Sequence, residues 1–219
     1  MTDVNDQTLD ELRATLAPLL PGEAAFEGWT DAALAAAAER AGVAADRARL
    51  AFPRGSVDMV DAWFAHIDRE MGAELPPERL AALRIRERIT ALVESRLRQV
   101  APDREALRRA LALLASPAHA ATGAALAWRA ADTMWRLAGD TATGTAHYTK
   151  RLTLAGVYGA TLLAFLQDES DDLTESRAFL SRRIGEVMRF EQFKARLRRD
   201  PDRHFSVTRF MGRLRYPAR

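Results

Sequence analysis

At 219 residues, 48% of them hydrophobic and 28% charged, the chain is long enough to bury a core and too apolar to be disordered throughout. It has no cysteine, which excludes disulfides, thiolate metal sites, iron–sulfur clusters and a cysteine nucleophile and suits a reducing compartment. The net charge of +2 hides an asymmetry: residues 188–219 carry +7 and the remainder −5, so an anionic surface is expected to meet the C-terminal end.

Alanine occupies 43 positions, and with few β-branched residues this predicts about ten helices and no strand. Leu9, Leu12, Leu16 and Leu19/Leu20 recur at helical spacing, with Pro21-Gly22 ending that helix or its first half. Thr30-Asp31 opens a helix that Gly42 ends, and Ala45 to Phe52 forms a short one closed by Pro53-Arg54-Gly55. Ser56 starts a longer helix to Met71. Pro76-Pro77 opens one to Val100, and Asp103 one to Ser116. Two long apolar segments follow, 117–137 and 145–166, then 173–190 and a broken basic segment after Pro201. Met1 to Leu9 is polar and acidic, unlike a signal or transit peptide, and Leu152 to Leu166 is too short to span a bilayer, so a soluble chain is expected.

The pair of short helices around Gly42 has helix-turn-helix spacing and resembles the N-terminal part of TetR-type repressors. Its second helix, Ala44-Ala45-Asp46-Arg47-Ala48-Arg49-Leu50-Ala51-Phe52, is poorly equipped for DNA. Its two arginines are offset by Asp46, the hydroxyl and aromatic residues that grip phosphates are missing, and Asp31, Glu39, Asp58 and Asp61 surround it. No nucleic-acid partner is expected.

The most specific signal is the stretch from Trp128 to Ser170. Met134-Trp135, Ala138-Gly139-Asp140, Tyr148-Thr149, Arg151 and Gln167-Asp168-Glu169-Ser170 continue into Arg177-Ala178-Phe179-Leu180-Ser181-Arg182-Arg183-Ile184. With Trp29-Thr30 and Phe52-Pro53-Arg54-Gly55, this set resembles the Coq-nine family of lipid-binding accessory proteins of ubiquinone biosynthesis, also called RpsU-divergently transcribed proteins, over residues 25–190. The resemblance implies a TetR-like fold that does not repress transcription. It implies a helix-turn-helix-like part at 1–71, a helical lipid-binding and dimerisation region at 72–190, and a basic amphipathic segment at 191–219.

Periodicity alone makes Trp128, Met134, Trp135 and Leu137, then Leu152, Leu154, Val157, Tyr158, Leu162 and Phe165, the apolar faces of two long helices, for which an ordinary core is the simpler reading. The resemblance implies instead that these residues line a site for an isoprenoid or phospholipid, with a bound lipid in place of any cofactor. It also implies a partner surface at Met134, His147, Tyr148 and Arg151 for a di-iron demethoxyubiquinone hydroxylase or another quinone-biosynthesis enzyme. His147 stands where many eukaryotic members carry Trp, and Gly144 where they carry an acid.

Asp140 is expected to order its loop. The four histidines are scattered and the acids at Asp168, Glu169, Asp171 and Asp172 read as caps rather than metal ligands, so no catalytic residue, no metal and no enzyme activity is expected. Arg84 to Arg88 reads as a solvated helix face. After Pro201, Phe205, Val207, Phe210, Met211 and Leu214 alternate with Arg209 and Arg213, the pattern of an interfacial amphipathic helix at an anionic membrane, although docking of this tail on the acidic body is the alternative. Stripes at 154–165 and 179–188 suit a homodimer. The expectation is thus a lipid-presenting accessory protein of the bacterial cytoplasm, peripheral at the inner membrane; the alternative is a ligand-responsive TetR-type repressor.

Overall fold

The structure, a computed structural model, describes residues 7–199, with side chains through Arg189. Among the described residues there are eleven α-helices and no strand. The chain divides into two compact units, Met1–Leu180 and Ser181–Arg219.

The N-terminal helices are short because caps and glycines punctuate them. α1 (Leu9–Leu16) starts at a reciprocal cap in which Glu11 N–H donates to Thr8 Oγ1 at 3.3 Å and Thr8 N–H donates to Glu11 Oε2 at 2.8 Å. α2 (Leu20–Glu27) settles the alternative at Pro21: rather than stopping a helix, Pro21 occupies the first turn of a new one, where its missing N–H costs nothing. α3 (Asp31–Arg40) and α4 (Ala45–Ala51) match the expected pair. Gly42 turns between them at φ 69, a left-handed conformation open to a residue without Cβ.

α5 (Ser56–Glu74) is the spine of the first unit, packing on α7, α8 and α9 and touching α1 and α2. The division expected at residue 71 therefore falls inside a helix whose neighbours come from both sides of it. Trp29 ties the N-terminal helices to the rest: its Nε1 donates to Ala106 O at 3.0 Å and its ring lies 5.4 Å from that of Trp63.

The helix expected over 77–100 is two, α6 (Pro77–Ala81) and α7 (Ile85–Val100). Arg84 leaves the helical region, and Arg88 holds the break by donating to Leu83 O, Ala81 O and Ala138 O at 2.8, 3.0 and 2.9 Å. Arg88 is thus a clamp on freed carbonyls rather than part of a solvated face.

α8 (Arg104–Ala115) and α9 (Ala120–Leu137) approach closely at Gly123, where a Cβ would stand 3.1 Å from Leu114 O. α9 and α10 (Gly144–Phe165) form the most extensive helix pair of the fold. α11 (Thr174–Arg199) runs nine residues further than expected. Its first turn is held by Asp168, whose buried carboxylate accepts from the N–H and hydroxyl of both Ser170 and Ser176 at 2.5–2.9 Å. The carboxylate orders the junction by capping, as the sequence suggests.

Candidate functional site

The α9–α10 pair carries every candidate residue that falls within the described part of the chain. On its inner side Met134, Leu154, Tyr158, Leu162 and Phe165 are buried, because 154, 158, 162 and 165 fall on one face of α10 and Met134 faces them from α9. Trp128, Trp135 and Val157 are half-buried. Trp135 is fixed by Nε1 donating to Lys150 O at 3.0 Å, with Lys150 Nζ 5.2 Å from its ring centroid. Phe165 packs under Arg104, whose guanidinium carbon stands 4.4 Å from the ring centroid and which also donates to Asp168 O.

The expected partner surface splits. Met134 is fully buried and Arg151 is only 3% exposed, so neither faces a partner. Arg151 instead donates to Asp132 at 2.6 Å and to Asp140 at 3.2 Å, while Lys150 Nζ lies 2.5 Å from the other Asp140 oxygen. Burial raises the Asp140 carboxyl, but the hydrogen bonds and charges of Lys150 and Arg151 outweigh it and leave the group below its ordinary range. This pins the 138–143 connection, the ordering role expected of Asp140.

At the outer edge of that pinned connection, Tyr148 is 64% exposed and stands in an aromatic cluster. Its ring centroid lies 5.9 Å from Trp128 and 5.2 Å from His147, and Trp128 and His147 are 6.4 Å apart. Leu152 and Leu163 extend this outer face along α10 as exposed large side chains, with open space over Gly156 and Gly159 between them. Alternation of buried and exposed apolar residues around α10 gives it two working faces.

A separate cleft of about 260 Å³ opens on the far side of α5, walled by Pro18, Trp63, His66, Glu70 and Asp103; no candidate lipid contact lines it. Among the described residues no group of three or more His, Asp or Glu is placed to hold a metal ion, and no helix is long and apolar enough to cross a membrane. The expected membrane contacts Phe205, Val207, Arg209, Phe210, Met211, Arg213 and Leu214 lie outside the described residues.

The sequence reading overlooked a set of charges, the buried Arg96 with the half-buried Asp68, Arg129 and Asp61, joined across α5, α7 and α9. A signal was present: Arg96 sits in the apolar stripe of Ile89, Leu92, Val93 and Val100, where a charge demands a partner.

Residues 120–191, from α9 into α11, match the COQ9 family. The mitochondrial ubiquinone biosynthesis protein COQ9 of Rattus norvegicus is 31% identical over 167 residues, 74% of this chain and 54% of that protein. Its Homo sapiens counterpart is 31% identical over 168 residues, 74% and 52% respectively. The chain belongs to the COQ9 family. It spans about half the length of the curated relatives it matches. Among solved structures, a TetR transcriptional regulator from Nitrosomonas europaea superposes with a TM-score of 0.64 at 24% identity, over 80% of this chain and 97% of that one. The fold is therefore the all-α, TetR-like one that the sequence suggests, and the likeness carries the fold alone. The COQ9 match coincides with the helices that hold the pinned loop, the buried apolar face and the exposed aromatic cluster.

Proposed function

We propose that this COQ9-family chain takes part in ubiquinone biosynthesis as a lipid-binding accessory protein. It accepts an isoprenoid or phospholipid in the apolar core between α7, α9 and α10 and presents it to a quinone-biosynthesis enzyme, the demethoxyubiquinone hydroxylase being the first candidate. The observation that carries this reading is the coincidence of the family match at 120–191 with the helix pair whose two faces divide the work. The inner face of Met134, Leu154, Tyr158, Leu162 and Phe165 suits an isoprenoid tail, since each buried CH₂ contributes roughly 0.8 kcal/mol. The outer cluster of Tyr148, Trp128 and His147 suits a protein partner, because exposed aromatics on a rigid helix make efficient anchors.

In this reading the protein supplies binding and presentation, and the chemistry belongs to the partner. The exposed stripe of Leu152, Gly156, Gly159 and Leu163 suits a second copy of the chain, since small residues let helices approach closely. The basic segment at 191–219 would bring the dimer to the anionic inner membrane of a bacterium. A repressor role finds little support in α4, which bears Asp46 and a largely exposed Leu50.

The test is extraction of the purified protein with organic solvent followed by mass spectrometry, beside Leu162→Arg checked for folding by circular dichroism. An isoprenoid or phospholipid released by the wild type and absent from the folded variant is the expected outcome. Wild type that releases no lipid, or a folded variant that retains it, overturns the reading.

A further inference from the structure

Seven charged side chains form one continuous ladder along α5. Arg54 pairs with Asp58 at 2.7 Å, and Arg13 reaches Asp58 at 3.8 Å and Asp61 at 3.3 Å. Arg129 pairs with Asp61 and reaches Asp68 at 3.4 Å, and Asp68 also pairs with Arg96. Each carboxylate is thus shared by two guanidiniums, so the ladder has an arginine at both ends. The outer end opens to solvent, Arg54 being 62% exposed.

The inner end has no such recourse. The Arg96 side chain is 1% exposed, and its Nε is a buried donor without an acceptor among the described residues. Buried N–H groups are almost always satisfied, so an orphan on a fully buried cation calls for an acceptor. Besides Asp68, the Arg96 guanidinium meets Tyr158, both its hydroxyl and its ring 5.0 Å away, and Tyr158 belongs to the apolar face of α10. The ladder therefore ends where the candidate lipid core begins.

We infer that the Arg96–Tyr158 pair is the head-group subsite of that core: Arg96 donates to an oxygen at the polar end of an otherwise apolar ligand, and Tyr158 stacks beside it. The inference rests on the lipid-binding reading and makes it specific, because a core lined by hydrocarbon alone would not discriminate between a quinone and an isoprenoid hydrocarbon. A quinone carbonyl and a lipid phosphate both supply the acceptor that a buried guanidinium N–H requires.

The experiment is competitive loading of delipidated full-length protein with equimolar decylubiquinone and squalene, and separately with dioleoyl phosphatidic acid and dioleoylglycerol, read by mass spectrometry of the retained lipid. Wild type should favour decylubiquinone over squalene, or phosphatidic acid over dioleoylglycerol, by roughly tenfold, the usual worth of a hydrogen bond to a buried charge. Arg96→Met should abolish that preference while retaining squalene or dioleoylglycerol. The probe pair that responds identifies the head as quinone or phosphate. Should Arg96→Met misfold through an unpaired Asp68, the double variant Asp68→Asn/Arg96→Met removes both charges, and Arg96→Lys should keep part of the preference. Equal loading by wild type, or a preference that survives Arg96→Met, overturns the subsite alone. Wild type that takes up none of the four probes overturns the lipid-binding reading as well.

Discussion

Arg151 and Asp140 meet 3.2 Å apart with both side chains only 3% exposed, joining the α9–α10 connection to the first turns of α10. Their partners Asp132 and Lys150 complete the arrangement at 2.6 and 2.5 Å. Buried charges of this kind are costly to separate, since removing one leaves the other unpaired in a poorly solvated site. Arg151→Met should therefore destabilise the fold by about 3 kcal/mol, measured by urea unfolding. A loss below 1 kcal/mol would show that Arg151 is free to act at the surface after all.

The same geometry predicts a different result one turn earlier. Tyr148 is largely exposed, so Tyr148→Ala should change unfolding stability by less than about 0.5 kcal/mol. If the proposed hydroxylase docks on this cluster, the same substitution should nevertheless weaken its binding by about 2 kcal/mol, a factor near thirty. Calorimetry with the purified partner checks this; unchanged affinity would remove the aromatic cluster from the interface.

Acid should expose the junction before α11. The Asp168 carboxyl is raised by burial but lowered more by two serine hydroxyls and two backbone N–H groups, and lies far below its ordinary range. Asp140 is lowered as well. Because both are depressed in the folded state, their contribution is complete above the unfolded-state value of about 3.9 and is lost as pH falls through the lower folded-state values. Stability should decline below about pH 4. Asp168→Asn should be less stable at pH 7 and show a shallower decline in acid, read from urea midpoints across pH.

Glycines on the two faces of the α8–α9–α10 layer should respond with opposite sign. Gly123→Ala places a Cβ 3.1 Å from Leu114 O and 3.2 Å from Leu114 Cβ, where backbone must yield, so the helix should lose about 1 kcal/mol. Gly156→Ala meets nothing within 4 Å and should stabilise the monomer by about 0.5–1 kcal/mol through helix propensity. If α10 pairs with a second copy, the same Gly156→Ala should weaken dimerisation in sedimentation velocity experiments. A dimer indifferent to it would place the contact elsewhere.

The amino-acid sequence by itself determined the helices that local physics controls. Thr30 and Gly42 delimit α3, and the 154, 158, 162, 165 period of α10 names its inner face, because caps, left-handed glycines and 3.6-residue spacing act over a few residues. The motifs from Trp128 to Ile184 likewise sufficed for the COQ9 family and its TetR-like fold. What the tertiary structure decided were the roles that depend on a partner far along the chain. Pro21 could open α2 as well as close α1, and that choice was made by packing of α2 on α3 and α8. Arg88 became a clamp because Ala138, fifty residues away, offers it a carbonyl. Arg151, a surface candidate by motif, went inside because Asp132 and Asp140 neutralise it there. Arg96 entered the apolar face of α7 because Asp68 on α5 and the ring of Tyr158 on α10 meet it. An arginine's place depends on which carboxylate comes within reach, and only the packing of distant helices brings them together.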